Sequence, residues 1–474
     1  MSNPNVAGLF LKQERVNAGR VAVWTPVSQL TFGEMKHLAQ GVQQGLLGLK
    51  PVPGETVLVL DQLRPELYST VLALLGLGLT LVMVEPWLAA PKIERIINQV
   101  RPRFFVHNDL GWLWGKRLAA IRRIPNWLWT RRLLRPDARD LIIAEVDGGL
   151  PGIITFTSGT TGFPKGVVRS HGYLKCQHEV LVRRLHWEAD PGPDLCIFAN
   201  FALLNLASGR STILVPSGWK QKHLAAAGAL PKSLQPVSLT CGPAFLSRVI
   251  QTPGFSALQS VHVGGAQIDN QVFQSAFDRW PGVEFTQIYG GSEVEPVATI
   301  EARRAVKKSR EAGFFQTLCV GQPIPEISYQ LQTDSLWVTG PHVAGLYVGS
   351  EEDNHNNKRL DEQGRIWHNM GDRVRGLESE PKVGDWYYLG RSAVAVEDFL
   401  LEQQVYLALG HSRAFIHRLK SGEKVLVVEG RAPTGEIAKN FSRTASLTIA
   451  RDPRHRARID RQRTMVKGPS WLRG

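Results

Sequence analysis

Apolar residues follow two patterns along the first 150 residues, short continuous runs and recurrences every three or four positions. The runs have the length of buried strands, and the recurrences have the period of a helix face. Because strands and helices take turns, the pattern predicts a parallel, doubly wound sheet. In chain order we expect a helix at 30–49, a strand at 55–61, a helix at 66–78, a strand at 80–86, a helix at 92–102 and a strand at 103–109.

The same alternation resumes after residue 170, with strands expected within 211–218, 238–251, 260–268 and 283–296. Short strands with turn signals from Val320 to Leu389 predict a β-rich subdomain. A chain of 474 residues is too long for one ordinary core. We therefore expect an α/β fold. Doubly wound sheets and the β-rich subdomain form a large lobe over 1–390, and 391–474 form a small α+β lobe.

Composition narrows the class of protein. The hydrophobic fraction, 43%, fits a soluble globular protein, and the amino terminus lacks the long apolar core of a signal peptide. The longest apolar run, Val71 to Val84, is short for a membrane span and is typical of a buried helix entering a strand. The cysteines show no paired spacing, which indicates neither disulfides nor zinc and favours a reducing cytoplasm; they are Cys176, Cys196, Cys241 and Cys319.

Basic residues are concentrated in two segments of a chain whose net charge is +14. Residues 111–136 hold seven basic residues, four tryptophans and no acid, and residues 451–474 hold eight basic residues against two acids. Tryptophan and arginine interleaved on a short helix are typical of a peripheral membrane surface. A solvated basic helix whose tryptophans pack on the body is an equal alternative. No zinc-finger spacing or aromatic RNA-binding motif occurs, so no nucleic-acid partner is expected.

The stretch ITFTSGTTGFPKGVVRS, residues 154–170, carries the clearest chemical signal. An apolar strand there feeds a loop of serine, threonine and glycine, whose backbone N–H groups can form an anion nest. Hydroxyl groups add donors and one lysine adds a mobile charge. The spacing differs from the Walker loop. The candidate phosphate-binding residues are Thr157, Ser158, Gly159, Thr160, Thr161, Gly162 and Lys165.

This motif resembles the phosphate loop of the adenylate-forming superfamily, which includes acyl-CoA synthetases, luciferases and the adenylation domains of peptide synthetases. The resemblance implies that the loop binds ATP phosphates while a carboxylate attacks the α-phosphorus, with Lys165 in a catalytic role. The triplet at Gly264, Gly265 and Ala266 follows a short buried strand. It resembles the strand end that binds adenine in this superfamily, and ligands of α/β sheets lie at such ends.

The run Tyr289-Gly290-Gly291-Ser292-Glu293 resembles the Y-G-x-T-E motif of the superfamily. The resemblance implies that the tyrosine ring lies against adenine and that the serine hydroxyl meets the α-phosphate. It also implies that Glu293 holds Mg²⁺, since hard cations prefer carboxylate oxygen. ATP and Mg²⁺ are therefore the expected cofactors.

Three later residues extend the resemblance. Asp372, in NMGDRVR, resembles the aspartate that accepts hydrogen bonds from both ribose hydroxyls. Arg391 matches the arginine of the G-R-x-x-D hinge, but Ser392 follows and the hinge aspartate is not clearly present. In the tail, Arg458 stands where most members carry a catalytic lysine, and Lys467 is an alternative cation nine residues on. Arginine keeps the charge but presents a different shape.

Two further stretches, 198–216 and 309–325, resemble the β-lactone synthetases of long-chain olefin biosynthesis and fatty acyl-CoA ligases. That resemblance implies an acyl pocket lined by apolar side chains, although the same residues fit a plain core equally well. The candidate pocket residues are Phe201, Leu203, Leu204, Leu206 and Gly291.

We therefore expect an AMP-forming acid ligase that activates a long-chain acid as an acyl-AMP. A thiol acceptor, coenzyme A or a carrier protein, would make it a ligase. A β-hydroxyl on the acid would instead close a β-lactone. A nucleotide-binding pseudoenzyme stays as a third hypothesis, because of Arg458 and the unusual hinge. We expect the protein to be cytoplasmic. Contact of residues 111–136 with a membrane is an open alternative.

Overall fold

The structure is a computed structural model, and it describes residues 3–84, 88–158, 164–187, 192–216, 218–332, 335–376, 384–451 and 458–473. These residues form sheets of eleven, six, four and three strands, with helices packed against them. Four of the five neighbouring strand pairs in the six-stranded sheet run parallel, and so do five of the ten pairs in the eleven-stranded sheet, whose other five pairs are antiparallel. The predicted α/β fold class is confirmed.

The six-stranded sheet is built from the first third of the chain, in the order β6-β5-β3-β4-β7-β8. Its strands β3, β4 and β5 are almost entirely apolar and buried, as is typical of parallel strands covered on both faces. Helix α2 starts at a capping box formed by Thr31 and Glu34. The elements are α1 (Ala7–Asn17), β1 (Val21–Trp24), β2 (Gln29–Thr31), α2 (Phe32–Leu47), β3 (Thr56–Leu60), α3 (Pro65–Gly76), β4 (Thr80–Met83), α4 (Ala90–Val100), β5 (Phe104–His107), α5 (Asp109–Arg117), α6 (Ala119–Arg122), β6 (Asn126–Trp129), α7 (Thr130–Leu133), β7 (Pro151–Ser158) and β8 (Pro164–Ser170).

The middle of the chain supplies most of the eleven-stranded sheet, which begins β2-β1-β10-β9-β11-β12-β13-β14. Four of these strands, β9, β11, β12 and β13, are parallel neighbours, so their carboxyl ends share one edge of the sheet. The elements are α8 (His171–Arg184), β9 (Asp194–Cys196), α9 (Ala199–Ala207), β10 (Thr212–Leu214), α10 (Gln221–Gly228), β11 (Ser238–Cys241), α11 (Pro243–Ile250), β12 (Ser260–Val263), α12 (Asn270–Arg279), β13 (Glu284–Gly291) and β14 (Val294–Glu301).

The region after residue 301 is rich in short strands, as the turn signals predict. Three of these strands complete the large sheet in the order β15-β21-β20, and four form a separate sheet in the order β16-β17-β19-β18. The elements are α13 (Ala302–Glu311), β15 (Cys319–Pro323), β16 (Ser328–Gln332), β17 (Ser335–Thr339), α14 (Glu351–Asn357), β18 (Lys358–Leu360), β19 (Ile366–Asn369), β20 (Asp372–Gly376) and β21 (Trp386–Arg391).

The end of the chain forms a small unit around the three-stranded sheet β22-β23-β24. Its own apolar cluster includes Phe415, Val425 and Leu472. Only residues 392–395 separate β21 from α15, so the connection is short. The division of the chain at 390 and 391 stays a prediction. The elements are α15 (Val396–Leu409), β22 (Ala414–Arg418), β23 (Lys424–Val428), β24 (Arg443–Ser446) and α16 (Arg461–Val466), with 3₁₀ turns at Gly435–Asn440 and Ser470–Arg473.

The tryptophan-rich segment 111–136 is not one short helix. Trp112 lies on α5, whereas Trp127 and Trp129 lie on β6, the edge strand of the six-stranded sheet. The rings of Trp112 and Trp129 meet at 5.7 Å between centroids, so helix and edge strand form one aromatic surface. Within the described parts of the chain, no helix has the length and apolar character needed to cross a membrane.

Candidate active site

The phosphate motif spans two antiparallel strands. β7 ends and β8 begins on either side of it, and Thr157 is paired with Lys165 across the hairpin. Lys165 therefore lies on a strand and not in the loop, so its backbone position is fixed by the sheet. Five residues of the connecting loop lie outside the described residues, and so do the side chains of Thr157 and Ser158; the loop residues with predicted roles are Gly159, Thr160, Thr161 and Gly162.

Lys165 and Glu293 both hydrogen-bond to a third residue, Tyr347, which was not predicted from the sequence. The Lys165 ammonium donates to the hydroxyl of Tyr347 at 3.1 Å, and that hydroxyl donates to Glu293 Oε1 at 2.7 Å. The direct distance from Lys165 Nζ to Glu293 Oε1 is 3.6 Å. The ammonium also lies over the Tyr347 ring, 4.2 Å from its centroid. The structure thus brings the phosphate motif and the Y-G-x-T-E-like motif together.

Glu293 is held as a carboxylate. Burial alone would raise its pKa, but the His368 imidazole, the Lys165 ammonium and the Tyr347 hydroxyl outweigh burial and lower the pKa to about 2. Burial also lowers the pKa of His368, to about 3, so this imidazole is neutral at neutral pH. The positive charge that keeps Glu293 ionised under those conditions therefore comes chiefly from Lys165, with a smaller effect from Lys358.

A second lysine lies beside this carboxylate. Lys358, at the start of β18, is 6% exposed, and its Nζ donates to the carbonyl of Ala344 at 2.7 Å. The Ala344 N–H in turn donates to the main-chain oxygen of Glu293 at 2.7 Å. Burial lowers the pKa of Lys358 to about 7, an effect that Glu293 opposes and Lys165 strengthens. The site thus holds two lysines against one glutamate.

The donor set suits a magnesium ion that is shared with a substrate. The described residues contain no group of three or more His, Cys, Asp or Glu side chains placed to hold a metal. Mg²⁺ commonly binds through one or two carboxylates together with substrate phosphates and water. Glu293 is an ionised carboxylate close to the strand that carries Lys165, and so it fits such a partial coordination.

Asp372 forms a second charged centre. Its carboxylate accepts from the Tyr289 hydroxyl at 2.9 Å and from Arg391 at 2.7 Å, and it is 6% exposed. Burial raises the pKa of Asp372, and Arg391, Tyr289 and Arg458 oppose that rise. A carboxylate has about four lone-pair positions, so two protein partners leave room for further donors such as ribose hydroxyls.

Arg458 lies near enough to Asp372 to favour its ionised form, although its own side chain is exposed. The carboxy-terminal unit also contacts the large sheet close to the glycine pair. Gln316 and Gln403 exchange hydrogen bonds of 3.1 Å, and Ser412 donates to Asp269 at 2.9 Å. These contacts hold the carboxy-terminal unit against the loops that follow β12 and α13.

The glycines of the two motifs let backbones approach closely. Gly264 follows β12, and a Cβ there would lie 3.1 Å from the carbonyl oxygen of Ile288. Gly265 has φ +85°, a conformation that favours glycine, and Ala266 comes next. A Cβ on Gly291 would lie 3.5 Å from Met370 and 3.6 Å from Glu293 Oε2. Because Met370 precedes Asp372 by two residues, Gly291 lies between the charged group at Glu293 and the charged group at Asp372.

The candidate pocket residues on α9 are packed into the protein interior. Phe201 and Leu204 belong to an apolar cluster with Trp187, and Leu203 and Leu206 belong to another cluster that includes α3 residues. The Phe201 and Trp187 rings meet edge to face at 6.4 Å between centroids. Their role in an acyl pocket stays a prediction.

Two charged residues beside the motifs, Arg169 and Glu295, were not predicted from the sequence. Arg169 lies on β8 and donates to Thr155 Oγ1 at 2.6 Å and to the carbonyl of Ser292 at 2.7 Å. Burial raises the pKa of Glu295 to about 7, which Arg169 and a hydrogen bond from Asn200 oppose. A signal was present, because a charged residue interrupts the apolar strand after Lys165 and a second acid follows Glu293.

The chain is similar to known proteins in sequence and in fold. The family model described as AMP-binding enzyme matches residues 10–348. The chain belongs to this family of enzymes. It is 27% identical over 314 residues to an olefin β-lactone synthetase of Stenotrophomonas maltophilia (strain K279a), which covers 62% of the chain and 56% of that protein. The chain thus spans just over half the length of this relative.

The predicted resemblance to adenylate-forming enzymes is confirmed by this membership. The chain is also 23% identical over 405 residues to peroxisomal OPC-8:0-CoA ligase 1 of Arabidopsis thaliana. The match covers 78% of the chain and 72% of the relative. Among solved structures, a benzoate CoA ligase from Burkholderia xenovorans LB400 is similar with a TM-score of 0.78 and 16% identity, over 98% and 99% of the two chains. This likeness concerns the fold.

Proposed function

We propose that the protein activates a carboxylic acid with ATP to give an acyl-AMP and pyrophosphate. A carboxylate oxygen of the acid attacks the α-phosphorus, a new P–O bond forms, and the bond to the leaving pyrophosphate breaks. One observation carries the proposal: Lys165 and Glu293 share the Tyr347 hydroxyl at 3.1 and 2.7 Å. A cation and an ionised carboxylate held together suit a polyphosphate and its metal ion.

The residues divide into three roles. Lys165 would stabilise the charge of the phosphates, and Glu293 would hold Mg²⁺, which supplies further charge stabilisation when bound. Tyr289 and Asp372 would hold the adenosine end, beside Gly264, Gly265 and Ala266. Arg391 orients Asp372 through its 2.7 Å contact. Arg458 is the candidate cation from the tail, where Lys467 is the alternative.

The finer proposal is that the acid has a long acyl chain and that a thiol, coenzyme A or a carrier protein, accepts the acyl group. The alternative is closure of a β-lactone by a hydroxyl of the same acid, which the β-lactone synthetase among the relatives supports. A catalytically impaired protein is the remaining alternative. The family membership and the ionised Glu293 favour an active enzyme.

Trapping of the acyl-AMP with hydroxylamine, over acids of several lengths with and without a β-hydroxyl, tests the proposal. Glu293→Gln should lower the trapping rate by about 10² or more, the scale of losing one preorganised charge from a transition state. Glu284→Gln, an exposed change at the start of β13, the strand that leads to Glu293, is the matched control and should keep the parental rate. A parent protein that activates no acid, or equal rates in both variants, would contradict the proposal.

We also propose that the surface of α5 and β6 contacts anionic lipid. Leu110 and Leu113 are 62% and 47% exposed on α5. Lys116 lies over the Trp112 ring, 3.9 Å from its centroid, and Arg131 lies over the Trp129 ring, 4.5 Å from its centroid. The aromatic surface therefore carries two cations in contact with its rings. Exposed leucines among cations and tryptophans match the depth profile of a lipid interface.

A further inference from the structure

Strand β16, Ser328–Gln332, is an edge of the four-stranded sheet, whose order is β16-β17-β19-β18. All five of its residues are exposed, among them Tyr329 at 44% and Leu331 at 55%. Within the described parts of the chain, its main chain pairs with β17 and hydrogen-bonds to no other element. One side of the strand therefore presents unpaired N–H and C=O groups to solvent.

The features that usually protect an edge strand are missing from β16. Its sequence, SYQLQ, contains no charged residue and no proline, and its pairing with β17 runs without a bulge. Natural proteins protect exposed edges with such charges, prolines and bulges. The opposite edge strand of the same sheet, β18, carries Lys358 and Arg359. The β16 edge is therefore open to pairing with another strand.

The sequence of β16 is complementary to itself in the antiparallel direction. When two copies are centred on Gln330, Ser328 of one copy faces Gln332 of the other, and Tyr329 faces Leu331. Because successive side chains point to opposite faces of a strand, both pairs of Tyr329 with Leu331 lie on one face. Apolar side chains that face each other in this way lose exposed surface, which favours association.

The apolar face of β16 extends a row that begins in the protein core. In the pairing with β17, Tyr329 is opposite Val338 and Leu331 is opposite Leu336, and both partners are buried. The Tyr329 ring also meets the Trp386 ring edge to face, with 4.6 Å between centroids. A second copy would continue this row across the edge of the sheet.

We propose that β16 is a self-association surface on which two copies of the chain pair antiparallel about a two-fold axis at Gln330. This pairing joins two four-stranded sheets into one continuous sheet, as in other cases of strand addition at a sheet edge. The edge that carries Lys358 lies at the far side of each sheet and stays free. Because the paired strands are only five residues long, the interface is smaller than a standard one and the dimer is reversible.

Cysteine cross-linking tests both the pairing and its register. The Cα atoms of the two residues 330 would lie about 4.5 to 5.5 Å apart, within reach of a disulfide, so Gln330→Cys should give a covalent dimer on mild oxidation. The two residues 328 would lie roughly 14 Å apart, so Ser328→Cys alone is the matched control and should stay monomeric. A mixture of Ser328→Cys and Gln332→Cys should cross-link, because these positions face each other. The parent controls for Cys176, which is only half-buried.

Analytical ultracentrifugation of the reduced proteins tests the association without a cross-link. The parent should dimerise increasingly as its concentration rises. Leu331→Glu should raise the dissociation constant about tenfold or more, since the two-fold axis repeats the lost contact. Leu360→Glu, a 64% exposed change on β18, is the matched control and should dimerise like the parent.

Several results would overturn the proposal. A parent that stays monomeric at every concentration, together with no cross-link in Gln330→Cys, would leave the edge to a strand of another protein. Cross-linking of Ser328→Cys alone to the same extent as Gln330→Cys would mean random collision or another register. A dimer that Leu331→Glu does not weaken would lie on another surface. The exposure of Leu331 makes a folding defect in that variant improbable, and the cross-linking arm does not use it.

Discussion

Replacing Lys358 with methionine should stabilise the ligand-free protein at pH 6, and the gain should shrink as the pH rises. The ammonium is 6% exposed, and its hydrogen-bond partner is a neutral carbonyl at 2.7 Å. Burial, with help from Lys165, lowers the pKa from 10.5 to about 7 although Glu293 opposes the change. A methionine side chain has a similar length and carries no charge to desolvate.

The size of the effect follows from proton linkage. The difference between a pKa of 10.5 in the unfolded chain and about 7 in the folded one corresponds to about 5 kcal/mol. Because the folded value is the lower one, the unfolded chain takes up the proton first as the pH falls. The free-energy cost of burying the Lys358 ammonium is absent above pH 10.5 and complete below pH 7. Linkage gives about 5 kcal/mol at pH 6, about 3 at pH 8 and about 1 at pH 9.5.

The net gain is smaller, because methionine loses the hydrogen bond to Ala344, worth about 1 kcal/mol. We therefore expect about 4 kcal/mol at pH 6 and close to zero at pH 9.5. Unfolding midpoints of the parent and Lys358→Met, measured by calorimetry across that range, give the comparison. Lys222→Met, an exposed change on α10, controls for simple loss of a lysine. A difference in stability between the two proteins that does not depend on pH would refute the reasoning, and so would a variant less stable than the parent at pH 6.

Three further predictions concern function. Lys358→Met should bind MgATP at least several-fold more weakly than the parent by calorimetry, since a cation beside the phosphate site is lost; unchanged affinity would separate Lys358 from that site. Arg458→Ala should lower acyl-AMP formation by about 10² or more while Arg458→Lys keeps or raises it; sensitivity only in Lys467→Ala would mean that the lysine position is shifted. The tryptophan emission of residues 111–136 should shift with anionic vesicles at low salt and not with neutral ones; no shift with either would leave a solvated basic surface.

The fold and the motif residues were predictable because their signals are local. Helix and strand periods fix α2, β3 and α3 within a few residues of the predicted ranges. Lys165, Glu293 and Asp372 stand in short motifs that need no tertiary information. Among the described residues, the segment 111–136 departs from its prediction, because the same aromatic and basic composition lies on a helix and then on an edge strand.

The rest of the site was not predictable because it is assembled by tertiary contacts. Tyr347 lies 54 residues after Glu293 and contacts it because the segment between β17 and α14 runs beside β8 and the Glu293 main chain, where Val348 pairs with Gly166 and the Ala344 N–H donates to the Glu293 carbonyl. Nothing in the local pattern around Tyr347 or Lys358 distinguishes a site residue from an ordinary strand residue. Arg169 and Glu295 did leave a signal, since each places a charge inside an otherwise apolar run.

The charges around Glu293 are incompletely balanced. Lys165 and Lys358 both act on Glu293, and the buried His368 is neutral, so at neutral pH one carboxylate faces two lysines. Burial of an incompletely balanced ammonium costs stability, as the lowered pKa of Lys358 shows. A polyphosphate brings the missing negative charge, and it would compete with Glu293 for Lys165. Under the proposed function, nucleotide binding would therefore exchange the contact through Tyr347, and the same exchange would free Glu293 for a metal ion.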